Sequence, residues 1–200
     1  CAYTVLGIDD RGMKDLLGFA ETAGYTFRLS NDIDLAAAPG FYVPTLKGTF
    51  DGAGHVFTGL AITQGAFGES NLGLFGKVAA GATVTGVGVS GGSVSAYMYI
   101  GGLVGANAGT ISNSYSTASV TGSSSGIGGL AGINTGTINN SYATASVTGG
   151  TASSHVGGLV GQSYSGATIS NSHATGTVAN GNQYTGGLVG YNSGTISSSY

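Results

Sequence analysis

The fold is decided by the stretch GGLVGANAGTISNSYSTASVTG at residues 101–122, because close copies of it recur along the chain. The copies begin at Gly128, Gly157 and Gly186, so the steps between them are 27, 29 and 29 residues. A more divergent copy precedes them at residues 71–94. A fixed period of about 20 to 50 residues is typical of repeat architectures, in which each repeat contacts only its neighbours. This part of the chain is therefore predicted to consist of one structural unit that is repeated nearly five times.

Each copy contains three short runs of strand-forming residues, Gly-Leu-Val, Thr-Ile-Ser-Asn and Ala-Ser-Val-Thr, separated by Gly, Asn and Ser. Such runs bounded by turn residues are typical of β-strands, and no helical period accompanies them. The pattern predicts an all-β fold, a parallel β-solenoid with about 28 residues per coil whose coils pair at about 4.8 Å. Equivalent apolar residues should stack as core ladders: Leu103, Leu130, Leu159 and Leu188; Ile111, Ile138, Ile169 and Ile196; Val120, Val147 and Val178.

Polar and aromatic residues also recur at fixed phase. Asn residues follow each Ile by two, so in a regular strand they should share its face and hydrogen-bond along the stack. They are Asn113, Asn140 and Asn171. A column of rings, in which stacking would add about 0.5–1.5 kcal/mol per pair, contains Tyr115, Tyr142, His173 and Tyr200. Hydroxyl arrays are predicted at Thr110, Thr137, Thr168 and Thr195, and at Thr117, Thr144 and Thr175.

The N-terminal part of the chain differs from the repeats. Met13, Leu16, Leu17 and Ala20 have helical spacing, and Gly24 is a stop signal, so a helix of about twelve residues is predicted within residues 10–22. Strand-like runs follow it. The open end of a solenoid exposes unpaired strands that capping elements normally cover. We therefore interpret residues 1–70 as atypical first coils with a capping helix and residues 71–200 as the repeats proper.

The charges are few and confined to the first part of the chain. They make up 6% of the 200 residues, against about 25% in ordinary globular proteins, and all 13 lie between Asp9 and Lys77. An uncharged run of this length cannot neutralise phosphates, which excludes nucleic acid. The sequence contains no apolar stretch of about 18 residues, so no membrane span is predicted. Cys1 alone offers no disulfide framework. Because the sequence starts without Met and stops at Tyr200 in mid-repeat, we expect a segment of a longer polypeptide.

Four phrases carry a family resemblance: YTFRLSNDIDLAAA (25–38), LKGTFDGAGHVFTGLAI (46–62), NLGLFGKV (71–78) and the repeated GGLVGxNxGTISNSY. They closely resemble the GLUG repeat of bacterial filamentous-haemagglutinin-like adhesins, other large surface proteins and the non-catalytic part of IgA1-specific metallopeptidases. The resemblance covers nearly the whole chain. It implies a right-handed parallel β-helix exported to the bacterial surface or the medium, with no catalytic site inside the repeats.

The acidic residues of the first coils do not predict a reactive site. Asp32 and Asp34 supply two carboxylates, whereas Ca²⁺ takes about six to eight oxygen ligands. Asp51 and His55, four residues apart in FDGAGH, suggest acid–base chemistry only weakly. Stabilisation of turns is the favoured role for all four residues.

The repeats contain no better candidate for a reactive site. His155 and His173 lack a third zinc ligand, and no carboxylate follows Glu69 to orient a base for a nucleophilic Ser. The GxGxxG match at residues 86–91 lies among strand-forming residues and not at the start of a helix, so it does not predict a dinucleotide site. No catalytic residue, metal or cofactor is predicted.

We therefore predict a non-catalytic structural and adhesive segment of a secreted or cell-surface bacterial adhesin, with a glycan or protein of a host or another surface as partner. The expected contact surface combines the ring column and the first hydroxyl array: Tyr115, Tyr142, His173, Thr110, Thr137, Thr168 and Thr195. The alternative is an ice-binding solenoid that uses the same Thr array. A glycan-active β-helix enzyme is a less favoured alternative, because its charged cluster would have to assemble from the first 77 residues.

Overall fold

The computed structural model describes residues 4–9, 12–64, 70–179 and 181–200. These residues form one helix, α1 (Met13–Phe19), and 29 strands. The strands of the first part of the chain are β1 (Thr4–Ile8), β2 (Tyr25–Leu29), β3 (Ile33–Asp34), β4 (Val43–Leu46), β5 (Thr49–Asp51), β6 (Val56–Thr58), β7 (Ala61–Thr63), β8 (Phe75–Val78), β9 (Thr83–Thr85), β10 (Gly88–Ser90) and β11 (Ser93–Ala96).

The later strands repeat the same order of short elements. They are β12 (Ile100–Gly101), β13 (Val104–Asn107), β14 (Thr110–Ser112), β15 (Tyr115–Ser116), β16 (Ser119–Gly122), β17 (Ser125–Gly128), β18 (Ala131–Asn134), β19 (Thr137–Asn139), β20 (Tyr142–Ala143), β21 (Val147–Gly149), β22 (Ser154–Gly157), β23 (Val160–Ser163), β24 (Thr168–Ser170), β25 (His173–Ala174), β26 (Val178–Ala179), β27 (Gln183–Gly186), β28 (Val189–Asn192) and β29 (Thr195–Ser197).

Five parallel sheets run along the axis of the molecule, each taking one strand from successive coils, and sheet A is the longest. Sheet A is β1-β2-β5-β9-β14-β19-β24-β29, sheet B is β3-β6-β10-β15-β20-β25, sheet C is β4-β8-β13-β18-β23-β28, sheet D is β7-β11-β16-β21-β26, and sheet E is β12-β17-β22-β27. A full coil passes through sheets C, A, B, D and E in turn. The predicted β-solenoid is confirmed, with five short strands per coil where the sequence pattern predicts three.

The predicted core ladders are confirmed by the strand register. Ile111, Ile138, Ile169 and Ile196 are successive partners in sheet A, as are Val120, Val147 and Val178 in sheet D. The Leu ladder is joined by backbone hydrogen bonds from Leu103 to Leu130, from Leu130 to Leu159 and from Leu159 to Leu188. The members of all three ladders are fully buried except those of the last coil, which are partly buried.

The repeated Gly-Gly-Leu-Val segment buries two consecutive apolar side chains. Leu103 and Val104 are both 0% exposed. A bend between β12 and β13 makes this arrangement possible, because the N–H groups of both residues donate to the carbonyl of Leu130 at 3.1 and 3.0 Å. A regular strand would have sent one of them outward.

The prediction that the Asn column shares the face of the Ile ladder is wrong. Asn113, Asn140 and Asn171 have φ of 49°, 46° and 48°, and their side chains are exposed. The strand does not stay regular there, because Asn tolerates the left-handed conformation and turns the chain from sheet A into sheet B. The buried Asn ladder lies on sheet C, where Asn107 Nδ2 donates to Asn134 Oδ1 at 2.8 Å.

Each of these Asn corners is followed by a buried Ser that joins two coils. Ser114, Ser141 and Ser172 donate from Oγ to the carbonyl of the residue two positions earlier at 2.7–2.8 Å. The Oγ of Ser141 also accepts the N–H of Ser114 from the neighbouring coil at 3.2 Å, and Ser172 accepts that of Ser141 at 3.2 Å. This Ser ladder satisfies backbone groups that the turn removes from the sheets.

Helix α1 is shorter than predicted, with seven residues instead of about twelve. It buries Leu16 and Ala20 as the spacing indicates, but Leu17 is 45% exposed. The chain enters the helix through a turn in which Asp9 Oδ1 accepts the N–H of Gly12 at 2.8 Å. Among the described residues, no helix combines the length and apolar character needed to cross a bilayer.

Candidate functional site

The predicted ring column is a continuous stack on the outside of sheet B, which we call the aromatic ladder (Tyr115, Tyr142, His173 and Tyr200). The ring centroids of successive members lie 4.9, 5.1 and 5.2 Å apart, with interplanar angles of 3°, 7° and 11°. Their strands pair in register, so the spacing of the rings follows the spacing of the coils. The sequence pattern therefore predicted both the members and the geometry of this ladder.

Stacking covers the faces of the rings and leaves mainly their edges exposed. The first ring, Tyr115, leans over Gly88 of the preceding coil, where a Cβ would collide with it. Burial raises the pKa of Tyr115, with smaller contributions from Tyr142 and Asp32. At the other end Tyr200 is 75% exposed. The aromatic ladder thus presents ring edges and hydroxyl groups along its length, and its most exposed ring is Tyr200.

The predicted Thr array is longer in the structure than in the sequence pattern. The register of sheet A aligns Thr110, Thr137, Thr168 and Thr195 and continues the column into the first coils through Thr83, Thr49 and Thr26. A second outward column of sheet A runs through Thr85, Ser112, Asn139, Ser170 and Ser197. The two columns form a hydroxyl-rich surface on the longest sheet, which we call the Thr face.

The charged residues of the first coils form local pairs. Asp51 pairs with Arg28 at 3.2 Å, and His55 Nδ1 lies 3.0 Å from Asp32 Oδ1, so the structure does not pair Asp51 with His55. The N–H of Val56 donates to the same Asp32 oxygen at 3.0 Å. This hydrogen bond and then the one from His55 lower the pKa of Asp32.

The favoured turn role of the acidic residues agrees with their contacts. Asp34 Oδ1 accepts the N–H of Ala36 at 2.9 Å, and Asp51 Oδ1 accepts that of Ala53 at 2.8 Å. The described part of the chain brings together no group of three or more His, Cys, Asp or Glu residues that would hold a metal ion.

A second aromatic cluster, which the sequence analysis did not find, lies where sheet E meets sheet C. We call it the aromatic corner: Tyr99, His155, Gln162, Tyr164, Tyr184 and Tyr191. Its backbone is a column of left-handed residues, one per coil, formed by Asn71, Tyr99, Gly126, His155 and Tyr184 with φ between 49° and 69°. The left-handed residue turns the next side chain, such as Val156, into the core, where it is fully buried.

The rings of the aromatic corner are not all parallel. His155 stacks on Tyr184 at 5.0 Å and 6°, whereas Tyr191 meets both rings edge-on at 5.3 and 5.6 Å with angles of 73° and 78°. Tyr99 covers Gly126, so that a Cβ built on this glycine would lie 2.7 Å from Tyr99 Cδ1 and 3.1 Å from Ile133. The crossed rings leave Tyr184 56% exposed and Tyr191 38% exposed.

A polar network fixes the imidazole of the aromatic corner. The amide Nε2 of Gln162 donates to His155 Nδ1 at 2.8 Å, Ser125 Oγ lies 2.9 Å from the same atom, and Tyr164 Oη donates to Gln162 Oε1 at 3.2 Å. Burial lowers the pKa of His155, in agreement with a neutral ring that accepts a hydrogen bond at Nδ1. The Nε2–H of His155 is then its donor group.

The hydroxyl groups of the corner lie close enough to affect one another. Burial raises the pKa of Tyr164, and Tyr99 and Tyr191 raise it further. A sequence signal for the site exists, because an aromatic residue stands two positions before the Gly-Gly pair at Tyr99, His155 and Tyr184. The signal is weak because the intervening copy has Gly126 there, and His155 drew attention only as a zinc ligand.

Comparison with known proteins supports the repeat assignment. The GLUG motif matches residues 96–121, 123–148 and 152–179. No curated protein matches the chain in sequence. Among solved structures, a protein from Bacteroides ovatus described as a "putative immunoglobulin A1 protease" is similar, with a TM-score of 0.65 and 20% identity over 95% of this chain and 71% of that one. At this identity the likeness concerns the fold alone.

Proposed function

The chain is a β-solenoid that carries GLUG repeats, and from this premise we propose that it is a non-catalytic structural and adhesive segment of a secreted or cell-surface protein. It works as a rigid rod that holds contact surfaces at a distance from their anchor. Its partners are glycans or proteins of a host or of another surface.

The observation that carries this proposal is the continuity of the sheets. Sheet A contains eight strands in unbroken parallel pairing. The Ile ladder runs within it from Ile111 to Ile196, and the Ser ladder runs beside it from Ser114 to Ser199. Bending the rod would require backbone hydrogen bonds and buried contacts of several coils to break together. Stiffness of this kind suits a stalk.

The chemistry of the outer faces supports contact without catalysis. The repeat coils expose hydroxyl, amide and aromatic groups, and the chain has no charge after Lys77. The carboxylates of the first coils that we considered as reactive groups are engaged in turns and ion pairs. An enzyme acting on glycans needs an acid and a base positioned at one cleft.

Retention on coated surfaces tests the proposal. Beads displaying the full 200-residue chain are passed over immobilised matrix proteins, mucins and polysaccharides. We expect saturable retention on at least one surface that persists in high salt, because the contact is uncharged. Absence of retention on all of them, or cleavage of a polysaccharide, would overturn the adhesive role.

A second candidate function, binding of ice, is favoured by one observation. The Thr face aligns Thr26, Thr49, Thr83, Thr110, Thr137, Thr168 and Thr195 on a single sheet. Its hydroxyls repeat at about 4.8 Å and can order water on a flat surface. Thermal hysteresis that is lost in Thr137→Leu and kept in Thr144→Leu, which changes an exposed Thr outside this column, supports ice binding; the absence of hysteresis in the unmodified chain excludes it.

A further inference from the structure

We infer that the aromatic corner is a binding site for an uncharged saccharide chain lying parallel to the solenoid axis. The inference rests on the contact role proposed above, and it moves the contact from the aromatic ladder to the junction of sheets E and C. Four features of the structure support it.

The first feature is backbone strain held by aromatic residues. Left-handed φ costs a side-chain-bearing residue about 1–2 kcal/mol, and the cost is least for Gly and Asn. The same column contains Asn71 and Gly126, and the other left-handed column of the repeats contains Asn113, Asn140, Asn171 and, in the last coil, Ser198. Tyr99 and Tyr184 occupy positions where folding alone favours Asn or Gly, so a role for their rings outside the fold explains their presence.

The second feature is the exposure of ring faces. In the aromatic ladder each ring covers the next, whereas Tyr191 meets His155 and Tyr184 edge-on and leaves ring surface open. The apolar C–H face of a sugar packs on such open rings. Tyr184 is the most exposed ring of this cluster at 56%, and Tyr164 and Tyr191 are each 38% exposed.

The third feature is a set of directed polar groups beside the rings. Gln162, only 8% exposed, is held between Tyr164 and His155, and this hydrogen-bond chain fixes the direction of the His155 Nε2–H. The hydroxyl of Tyr164 lies within electrostatic range of those of Tyr99 and Tyr191. Amide, imidazole and hydroxyl groups placed next to ring faces match the hydroxyls of a saccharide.

The fourth feature is the path that leads along the axis from the cluster. The outward column of sheet C runs from Tyr191 through Gln162, Ile133 and Ala106 to Lys77. A cavity of about 260 Å³ opens at its far end, lined by residues that include Lys77, Ala106, Ile133 and Thr135. Four coil steps of about 4.8 Å give a path of roughly 19 Å, enough for several sugar units.

The charge of the ligand follows from the composition of the repeats. Residues 78–200 carry no formal charge, so an acidic glycan would find no cation beside the rings of the corner, and the cation of the path, Lys77, lies four coil steps from Tyr191. Recognition of carboxylate or sulfate groups normally uses Arg or Lys. Neutral saccharides are therefore expected to bind in preference to anionic ones.

Binding by the full chain tests the inference. Neutral oligosaccharides (glucans, mannans and N-acetylglucosamine oligomers) and anionic ones (heparin and polygalacturonate) are titrated in a calorimeter, with chemical shifts of the His155 imidazole as the second readout. We expect at least one neutral oligosaccharide to bind. The affinity should fall at least tenfold in His155→Ala and in Tyr191→Ala, and it should remain within twofold in Tyr142→Ala, which removes a ring of the aromatic ladder. Circular dichroism checks that each variant is folded.

A variant that relieves backbone strain distinguishes a loss of saccharide binding from a loss of folding. Tyr184→Gly removes a ring and a costly backbone conformation together, so it should keep or raise the melting temperature while binding is lost. The inference is overturned if no neutral saccharide binds, if anionic glycans are preferred, or if only Tyr142→Ala weakens binding. In each of these cases retention of the beads on protein-coated surfaces would leave the adhesive role intact, so the two failures are distinguishable.

Discussion

The aromatic ladder and the aromatic corner are built from the same kinds of side chain on the same rod, yet they present opposite surfaces. In the ladder, interplanar angles of 3° to 11° cover ring with ring. In the corner, Tyr191 crosses two rings at 73° and 78°. Repetition of aromatic residues at one phase therefore produces a continuous stack in which the rings cover one another and stabilise the rod.

Departure from repetition produces the surface suited to a ligand. The left-handed column of the corner changes residue type in every coil, from Tyr99 to Gly126 to His155 to Tyr184. Its polar network is formed by Gln162 and Tyr164, which stand where the neighbouring copies have other residues. The stabilising ladder and the proposed recognition surface thus lie on different faces, and each face can be altered separately.

The largest expected effect comes from breaking the Ser ladder that joins neighbouring coils next to the aromatic ladder. Ser141→Ala deletes the Oγ that donates to the carbonyl of Asn139 and accepts the N–H of Ser114 in a buried position. The free energy of unfolding should fall by about 1–3 kcal/mol, since buried backbone groups lose their partners. Urea unfolding measures it.

The matched control for this change is Thr144→Ala, three residues away and exposed. It should alter the free energy of unfolding by less than about 0.5 kcal/mol. Saccharide binding at the aromatic corner should be unchanged in folded Ser141→Ala. Equal decreases in the free energy of unfolding for Ser141→Ala and Thr144→Ala would show that the Ser ladder does not support the rod.

The second-largest effect is the loss of stability expected in Gly126→Ala. Comparison with Gly166→Ala separates displacement of the Tyr99 ring from backbone strain. Gly126 and Gly166 both have left-handed φ, 69° and 85°, but only Gly126 lies under the ring of Tyr99, whereas Gly166 faces open space. Substitution by Ala strains the backbone at both sites. Gly126→Ala should therefore destabilise by about 1 kcal/mol more than Gly166→Ala.

Only the variant at Gly126 should disturb the corner. Chemical shifts of Tyr99 and His155 should move in Gly126→Ala, and those of Tyr142 in the ladder should not. Identical melting temperatures and unchanged Tyr99 shifts in the two variants would contradict the packing of Tyr99 over Gly126.

A smaller effect is expected from completing the aromatic ladder. His173→Tyr restores the residue type found at Tyr115 and Tyr142 and should raise the free energy of unfolding by up to about 0.5 kcal/mol through better stacking. Thermal melts measure the gain, and saccharide binding serves as the control, since it should not change. A melting temperature lowered by more than about 2 °C would show that the column selects His for another reason.

The smallest expected effect is the pH dependence that His155 of the aromatic corner gives to the free energy of unfolding. Burial lowers the pKa of His155 below its ordinary value of 6.5, so as the pH falls the unfolded chain takes up a proton before the folded one does. The contribution of this group to stability is therefore complete above pH 6.5 and is lost as the pH falls from there to the lowered pKa. The side chains that contact His155 are those of Ser125, Gln162, Tyr184 and Tyr191.

The measurement for this prediction is the free energy of unfolding between pH 7 and pH 5. His155→Gln, which has no ionising group at this position, should weaken the pH dependence relative to the unmodified chain. The prediction fails if the two proteins respond to pH in the same way, because the histidine would then contribute nothing to the slope.

Much of the rod could be predicted from the sequence because identical residues at one phase must occupy equivalent places in successive coils. The Ile, Leu and Val ladders, the aromatic ladder and the Thr column all follow from that rule. The position of the Asn column could not be predicted, because spacing does not distinguish a regular strand from one that turns at Asn113. The same ambiguity applies to Leu103 and Val104, which are both buried only because the chain bends between two sheets.

The repeat, the residues that stack on one another and the absence of charge beyond Lys77 can all be read from the amino-acid sequence. Which columns from different strands meet at an edge depends on how the coil folds in three dimensions. His155 and Tyr184 come from sheet E and Gln162 and Tyr191 from sheet C, and the angle between the sheets brings them together. Periodicity specifies neighbours along the axis, whereas neighbours around the coil depend on left-handed turns that a pattern of residue types does not reveal.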